Sequence, residues 1–163
     1  MNITEIIKKY ENKSLLLPIE VVPQSSHYNN LRYMMSSYQW SKLRKLIIPA
    51  LNNKCIICSG SSHNRSLDLH EVWSYDMETS VQKLVALEGL CTHCHDVKHY
   101  YLSNMKGKYK KVRNRLKKIN NFTNKEVYEY ELYTRTMFNI RSKMEWKLDV
   151  SFIEDTYDFQ IKK

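Results

Sequence analysis

Apolar residues recur at helical spacing in some stretches and alternate in others, and that pattern lays out the chain before any chemistry is considered. Ile3, Ile6, Ile7 and Tyr10 predict a short amphipathic helix over residues 2–12. Residues 15–30, with Pro18 and Pro23 among short apolar runs, predict an extended wrapping segment that leads to Asn29-Asn30. From Leu31 the spacing turns helical. Trp40, Leu43, Ile47 and Leu51 form one stripe, Ser37 or Ser41 is placed to cap it, and Pro49 should kink or end it. Trp40 lies on that stripe and is therefore expected in the core rather than stacked on a base.

Leu67 to Tyr75 alternates and predicts a strand; Asp76 to Thr79 makes the turn, and Val81 to Leu87 returns as a second strand. Residues 92–103 predict a helix, because His95 and His99 at i and i+4 then share one face. Thr123-Asn-Lys-Glu126 is a capping box that opens a helix through about residue 144. Val127, Tyr130, Tyr133, Thr134, Met137 and Ile140 or Arg141 form its imperfect stripe, which predicts packing. Trp146 to Phe152 alternates as a strand or docked extension, and Glu154, Asp155 and Asp158 should face solvent. The expected class is α+β in one domain of 163 residues: a wrapping region over 1–54, a central unit over 55–103 and a basic, helical extension over 104–163. Only three Gly and three Pro fit short turns rather than long linkers.

Composition adds two things. All four cysteines and five of the six histidines fall between Cys55 and His99. Cys55/Cys58 and Cys91/Cys94 are paired CxxC turns, and a two-residue spacer lets two thiolates reach one ion, so a four-cysteine structural zinc is expected. Gly60 would allow the tight turn behind the first pair. The opening Met1-Asn2-Ile3-Thr4-Glu5 does not read as a secretion signal and no run is long enough to span a membrane, so the expected home is a reducing cytoplasm. There, disulfides are disfavoured, and a redox CxxC needs no duplicate beside a histidine cluster.

Charge adds the second. The net +9 divides into +5 over 1–54, −3 over 55–105, +8 over 106–118 and −1 over 119–163. Lys106, Lys108, Lys110, Lys111, Arg113, Arg115, Lys117 and Lys118 form a run of one sign directly after the histidines. Such a run predicts phosphate binding, and so a nucleic-acid partner, in preference to a merely solvated helix face.

A histidine late in the first strand and two more one helical turn apart can converge on a divalent ion, leaving positions open for phosphate and water. The run CxxC, LDLHEVW, GLCTHCHDVKH resembles the HNH endonucleases, a ββα-metal family with added zinc knuckles; NNLR, the W-SKLRK helix and the closing EWKLDVSF resemble a bacterial and phage group of that family. The resemblance implies DNA phosphodiester hydrolysis. It implies that His70, His95 and His99 hold a catalytic Mg, Mn, Ni or Zn ion, and Cys55, Cys58, Cys91 and Cys94 the structural zinc. The chain departs from the motif where Glu71 stands at the water-activating histidine and Ala86 at the middle asparagine. Three accounts fit. Glu71 is the base, aided by His63 or Asp68; or His70 is the base, with Glu71 or Asp68 helping to bind metal; or the fold is a non-catalytic nucleic-acid binder. A protein partner docked on the C-terminal helix is a further expectation, and His27 and His93 are expected to be structural.

Overall fold

The first helix, α1 (Ile3–Glu11), starts at a capping box in which the Asn2 side chain accepts from Glu5 N while the Glu5 carboxylate accepts from Asn2 N. Ile6 and Tyr10 turn inward, as their spacing predicts. Residues 12–23 then run extended over the body, and Leu17, Ile19 and Val21 bury their side chains there. A 3-10 turn (Gln24–Ser26) leads to α2 (Leu31–Met34) and α3 (Ser37–Ala50). The α3 cap is Ser36, one residue before the expected Ser37: its hydroxyl accepts from Gln39 N and the Gln39 side chain returns the bond. Trp40, Leu43 and Ile47 are buried, and Pro49 sits in the last turn, where it ends the helix without kinking it.

This computed structural model describes residues 2–60, 66–157, 159 and 161; His63 and Asp158 lie outside them. Among the described residues the fold is mixed α+β, with eight α-helices and one three-stranded sheet. β1 (Asp68–Asp76) and β2 (Val81–Leu90) form an antiparallel hairpin, and β3 (Lys147–Asp149) adds in parallel to β2. Asp76 Oδ1 closes the hairpin turn by accepting from Glu78 N and Thr79 N. The register pairs His70 with Glu88 and Glu71 with Leu87. It then slips between Val72 and Trp73, because Val72 faces Ala86 while Trp73 faces Leu84. Val85 is the extra residue, a bulge that bends the hairpin just beyond His70.

The helix expected over 92–103 is broken in two: α4 (Thr92–Lys98) and α5 (Tyr100–Met105) meet at His99, whose ψ of 46° leaves the helical region. α6 (Tyr109–Ile119) carries most of the basic run. α7 (Asn124–Arg141) opens on the expected Thr123–Glu126 capping box, and α8 (Ser151–Tyr157) follows β3 where the alternation predicted a strand or docked extension. Val127, Tyr130, Thr134 and Met137 of α7 are buried, while Ile140 is exposed. Tyr10 meets Phe122, Tyr130 and Tyr133 in one aromatic cluster, so α1 packs on α7. Asp155 is exposed and Glu154 half-buried.

Candidate metal centres and the basic helix

Cys55 and Cys58 lie in the turn after α3; Cys91 caps α4 and Cys94 stands in its first turn. The turn is shaped by backbone bonds: Cys55 N donates to Gly60 O (3.0 Å) and Ser59 N to Cys55 O (2.8 Å). Its left-handed residue is Ser59 (φ 56°), not Gly60; a Cβ at Gly60 would meet only Cys58 Sγ, at 3.4 Å. Ile56 N donates to Gly89 O (3.1 Å), which docks the turn on β2. Gly89 leaves room there for the packed side chains, since a Cβ would come within 2.7 Å of Leu51 Cδ1 and push it aside.

One ligand atom from each of the four cysteines lies within 4.8 Å of all the others, and all four thiols are free. Cys58 Sγ and Cys91 Sγ stand 3.7 Å apart. Tetrahedral zinc with Zn–S bonds of about 2.3 Å has S···S edges of about 3.8 Å. The donor set and its spacing therefore fit zinc. The thiols also share protons unevenly: hydrogen bonding from Cys94 pulls Cys55 down to about 4 against the cost of burial, while burial pushes Cys91 up. Cys94 is pushed up as well, first by that same bond and then by burial. Four crowded thiols cannot all ionise without a compensating cation.

The second cluster is built on the hairpin and α4. His70 projects from β1, while His95 and His99 lie one turn apart at the end of α4. The break at His99 does not separate the pair, since His99 N still donates to His95 O (3.1 Å). Ring centroids are 5.2 Å apart for His70–His95, 5.0 Å for His70–His99 and 4.6 Å for His95–His99. One ligand atom from each lies within 4.8 Å of the other two. Burial, then the charge of Lys98, holds His70 down at about 4; burial, then the neighbouring histidines, does the same to His99. His95 is also lowered, chiefly by burial. All three are neutral at pH 7, the form in which imidazole binds metal. His70 Nε2 is buried without a hydrogen-bond partner. The cluster thus has the chemistry to hold a divalent ion.

Sequence reasoning missed Glu20. The wrapping segment brings its Oε2 to 2.9 Å from His70 Nε2, and the orphaned state of that nitrogen shows that the contact is not an aligned hydrogen bond. Burial raises Glu20 to about 7 despite nearby Lys98 and His99. Glu20 N donates to Lys98 O (3.0 Å), and Lys98 Nζ pairs with Glu88 Oε2 (2.9 Å), so the segment is fastened beside the histidines. Asp68 Oδ2 lies 3.5 Å from His95 Nδ1. No local pattern around Glu20 points to this role; only the path of residues 12–23 does.

Glu71 is placed otherwise. Its Oε1 accepts from Leu31 N (3.1 Å) and its Oε2 from Trp73 Nε1 (3.1 Å), and it does not belong to the histidine group. Burial raises its carboxyl to about 7. It acts as a clamp between β1 and α2. Ala86 sits opposite Val72, beside the bulge.

The basic run divides into two halves. Lys106, Lys110, Lys111 and Lys118 are exposed. Lys108 instead pairs with Asp96 (2.8 Å), Arg113 with Glu131 (3.6 Å), and Lys117 donates to Asn124 Oδ1 (2.8 Å). Arg115 Nη2 donates to Cys94 Sγ (3.3 Å), so the structure moves this residue from the expected phosphate contacts to the cysteine cluster. Among the described residues no helix is long and apolar enough to cross a membrane. No family model, curated protein or solved structure matches the chain.

Proposed function

We propose that the protein is a metal-dependent endonuclease of the HNH type, hydrolysing DNA phosphodiester bonds. The observation that carries the reading is the convergence of His70 from β1 with His95 and His99 from α4, directly after a hairpin and beside a four-cysteine cluster. A strand–strand–helix unit with histidines in those places has the layout of a ββα-metal core. A divalent ion on the three imidazoles supplies charge for the phosphate oxyanion and the leaving oxygen. The chain supplies the rest. Glu20 and Asp68 place negative charge beside His70 and His95, and the exposed lysines of α6 position the phosphate backbone without reading bases. The cysteines, with Arg115 on Cys94, fix the start of α4 and so the direction of His95 and His99.

One observation favours a second reading, a zinc-stabilised nucleic-acid binder without turnover. Glu71, at the position of the family's base, has both oxygens engaged by Leu31 N and Trp73 Nε1. The test is cleavage of supercoiled plasmid by purified protein with Mg, Mn, Ni, Co or Zn, with EDTA and His95→Ala alongside. Cutting that requires both metal and His95 supports the nuclease; retained binding without cutting under any metal replaces it with the binder.

A further inference from the structure

Three tyrosines on the α2–α3 side of the molecule are unusually open. Tyr28, Tyr33 and Tyr38 are 75%, 69% and 77% exposed, whereas tyrosine rings are ordinarily at least half covered. Tyr28 and Tyr33 meet edge to face with centroids 5.5 Å apart. Arg32, between them in sequence and itself exposed, lays its guanidinium 5.3 Å from the Trp40 ring.

The charge near them in sequence is one-sided, although the fold brings Asp149 and Glu154 to the cavity that Asn29 and Met34 line. Residues 21–67 contain six Lys or Arg and no Asp or Glu. Arg44 is used internally, donating to Ser66 Oγ and Leu67 O, but Arg32, Lys42 and Lys45 are exposed. Open aromatic faces with exposed cations nearby in the chain match the recognition of unpaired nucleotides, in which bases stack on rings and phosphates meet Lys or Arg. A duplex has no free base faces and gains only the cations.

The surface is also held firmly. Asn30 Oδ1 accepts from Tyr33 N and Asn30 Nδ2 donates to His27 O, which fixes the turn carrying Tyr28. Gln82 Nε2 of β2 donates to Asn29 O (3.1 Å), and Leu31 N donates to Glu71, the residue next to His70. The segment carrying Tyr28 and Tyr33 is thus fastened at two points to the hairpin that carries His70. A backbone fixed before binding loses little entropy when a base stacks on the rings it carries.

We infer that Tyr28, Tyr33 and Tyr38, with Arg32, Lys42 and Lys45, form a stacking surface for single-stranded nucleic acid. The inference rests on the nucleic-acid reading above and deepens it: the substrate has unpaired bases, and α6 tracks the backbone.

The test measures anisotropy of labelled oligo-dT, and of a duplex of the same length, titrated with the zinc-loaded full chain. Proteins are the wild type, a Tyr28→Ala/Tyr33→Ala double variant and a Tyr28→Phe/Tyr33→Phe control. Oligo-dT affinity should fall ~10-fold or more per ring in the alanine variant, hold in the phenylalanine variant, and duplex affinity should barely change. No loss for oligo-dT, equal loss for both ligands, or no binding of oligo-dT by the wild type overturns the stacking surface. Plasmid cleavage is scored separately, so a protein that never cuts but shows the ring-dependent loss ends the nuclease reading and keeps this one.

Discussion

Glu20 and His70 are fifty residues apart in sequence, yet Glu20 Oε2 lies 2.9 Å from His70 Nε2. The contact comes from the wrapping segment, not from the hairpin or helix that carry the histidines. A carboxylate 2.9 Å from a buried imidazole nitrogen adds negative charge that favours a cation on the histidines, and loss of a partner beside metal ligands costs roughly 10–100-fold in metal affinity. Glu20→Ala should therefore weaken divalent-ion binding at the histidine site by about that factor while the zinc content of the cysteine site stays constant. Chelator competition with two-site metal analysis reads both; unchanged affinity at the histidines would make Glu20 irrelevant to the metal.

Glu71 is expected to matter for stability first. Glu71→Ala removes the acceptor from Leu31 N, in a buried contact, and from Trp73 Nε1, in a half-buried one, and should cost about 1–3 kcal/mol for the stranded Leu31 donor and less for Trp73. Denaturant unfolding of the metal-loaded protein measures it. If Glu71→Ala unfolds like the wild type but abolishes cleavage, the residue is a base and not a clamp.

Structural zinc energy is folding energy. If the four cysteines hold zinc, Cys58→Ser should lose it and melt far below the wild type, since the knuckle joins the end of α3, β2 and α4. Equal zinc content by mass spectrometry would sink the four-cysteine site.

The two halves of the basic run should behave differently. Lys110→Ala/Lys111→Ala should flatten the slope of log affinity against log salt by about 0.9 for each phosphate that is no longer neutralised, with no change in melting. Arg115→Ala should leave that slope alone and weaken zinc retention, because its guanidinium is on Cys94 Sγ. A reversed pattern would mean that Arg115 faces the nucleic acid.

The α7 capping box yields a pH prediction. Hydrogen bonds from Thr123 hold the Glu126 carboxyl below the usual carboxylate range. Its folded value is depressed, so its contribution is present above the unfolded value near 4.5 and is lost as pH falls below it. Thr123→Ala should cost ~1 kcal/mol at neutral pH. Glu126→Gln should be less stable than the wild type at pH 7 and converge with it under acid; urea midpoints at several pH values give the comparison, and a constant gap would refute it.

Local pattern determined a good deal of this protein. The hairpin, the α7 capping box and the α3 stripe follow from spacing and capping chemistry, whose causes lie within a few residues of their effects. The two CxxC turns and the His95–His99 pair were legible for the same reason, because each places its donors by local geometry, whereas the meeting of the two turns and the approach of His70 depend on the fold. The tertiary structure decided what depends on distant segments. It brought Glu20 to His70, turned Glu71 into a clamp for α2, and drew Arg115 to Cys94 while leaving Lys110 and Lys111 outside. It also left Tyr28, Tyr33 and Tyr38 uncovered while burying Tyr10, Tyr100 and Tyr130. A charge or a ring is the same residue on either side of a fold; which partner or solvent it meets is fixed only when the core closes and the rest of the chain has been laid over it.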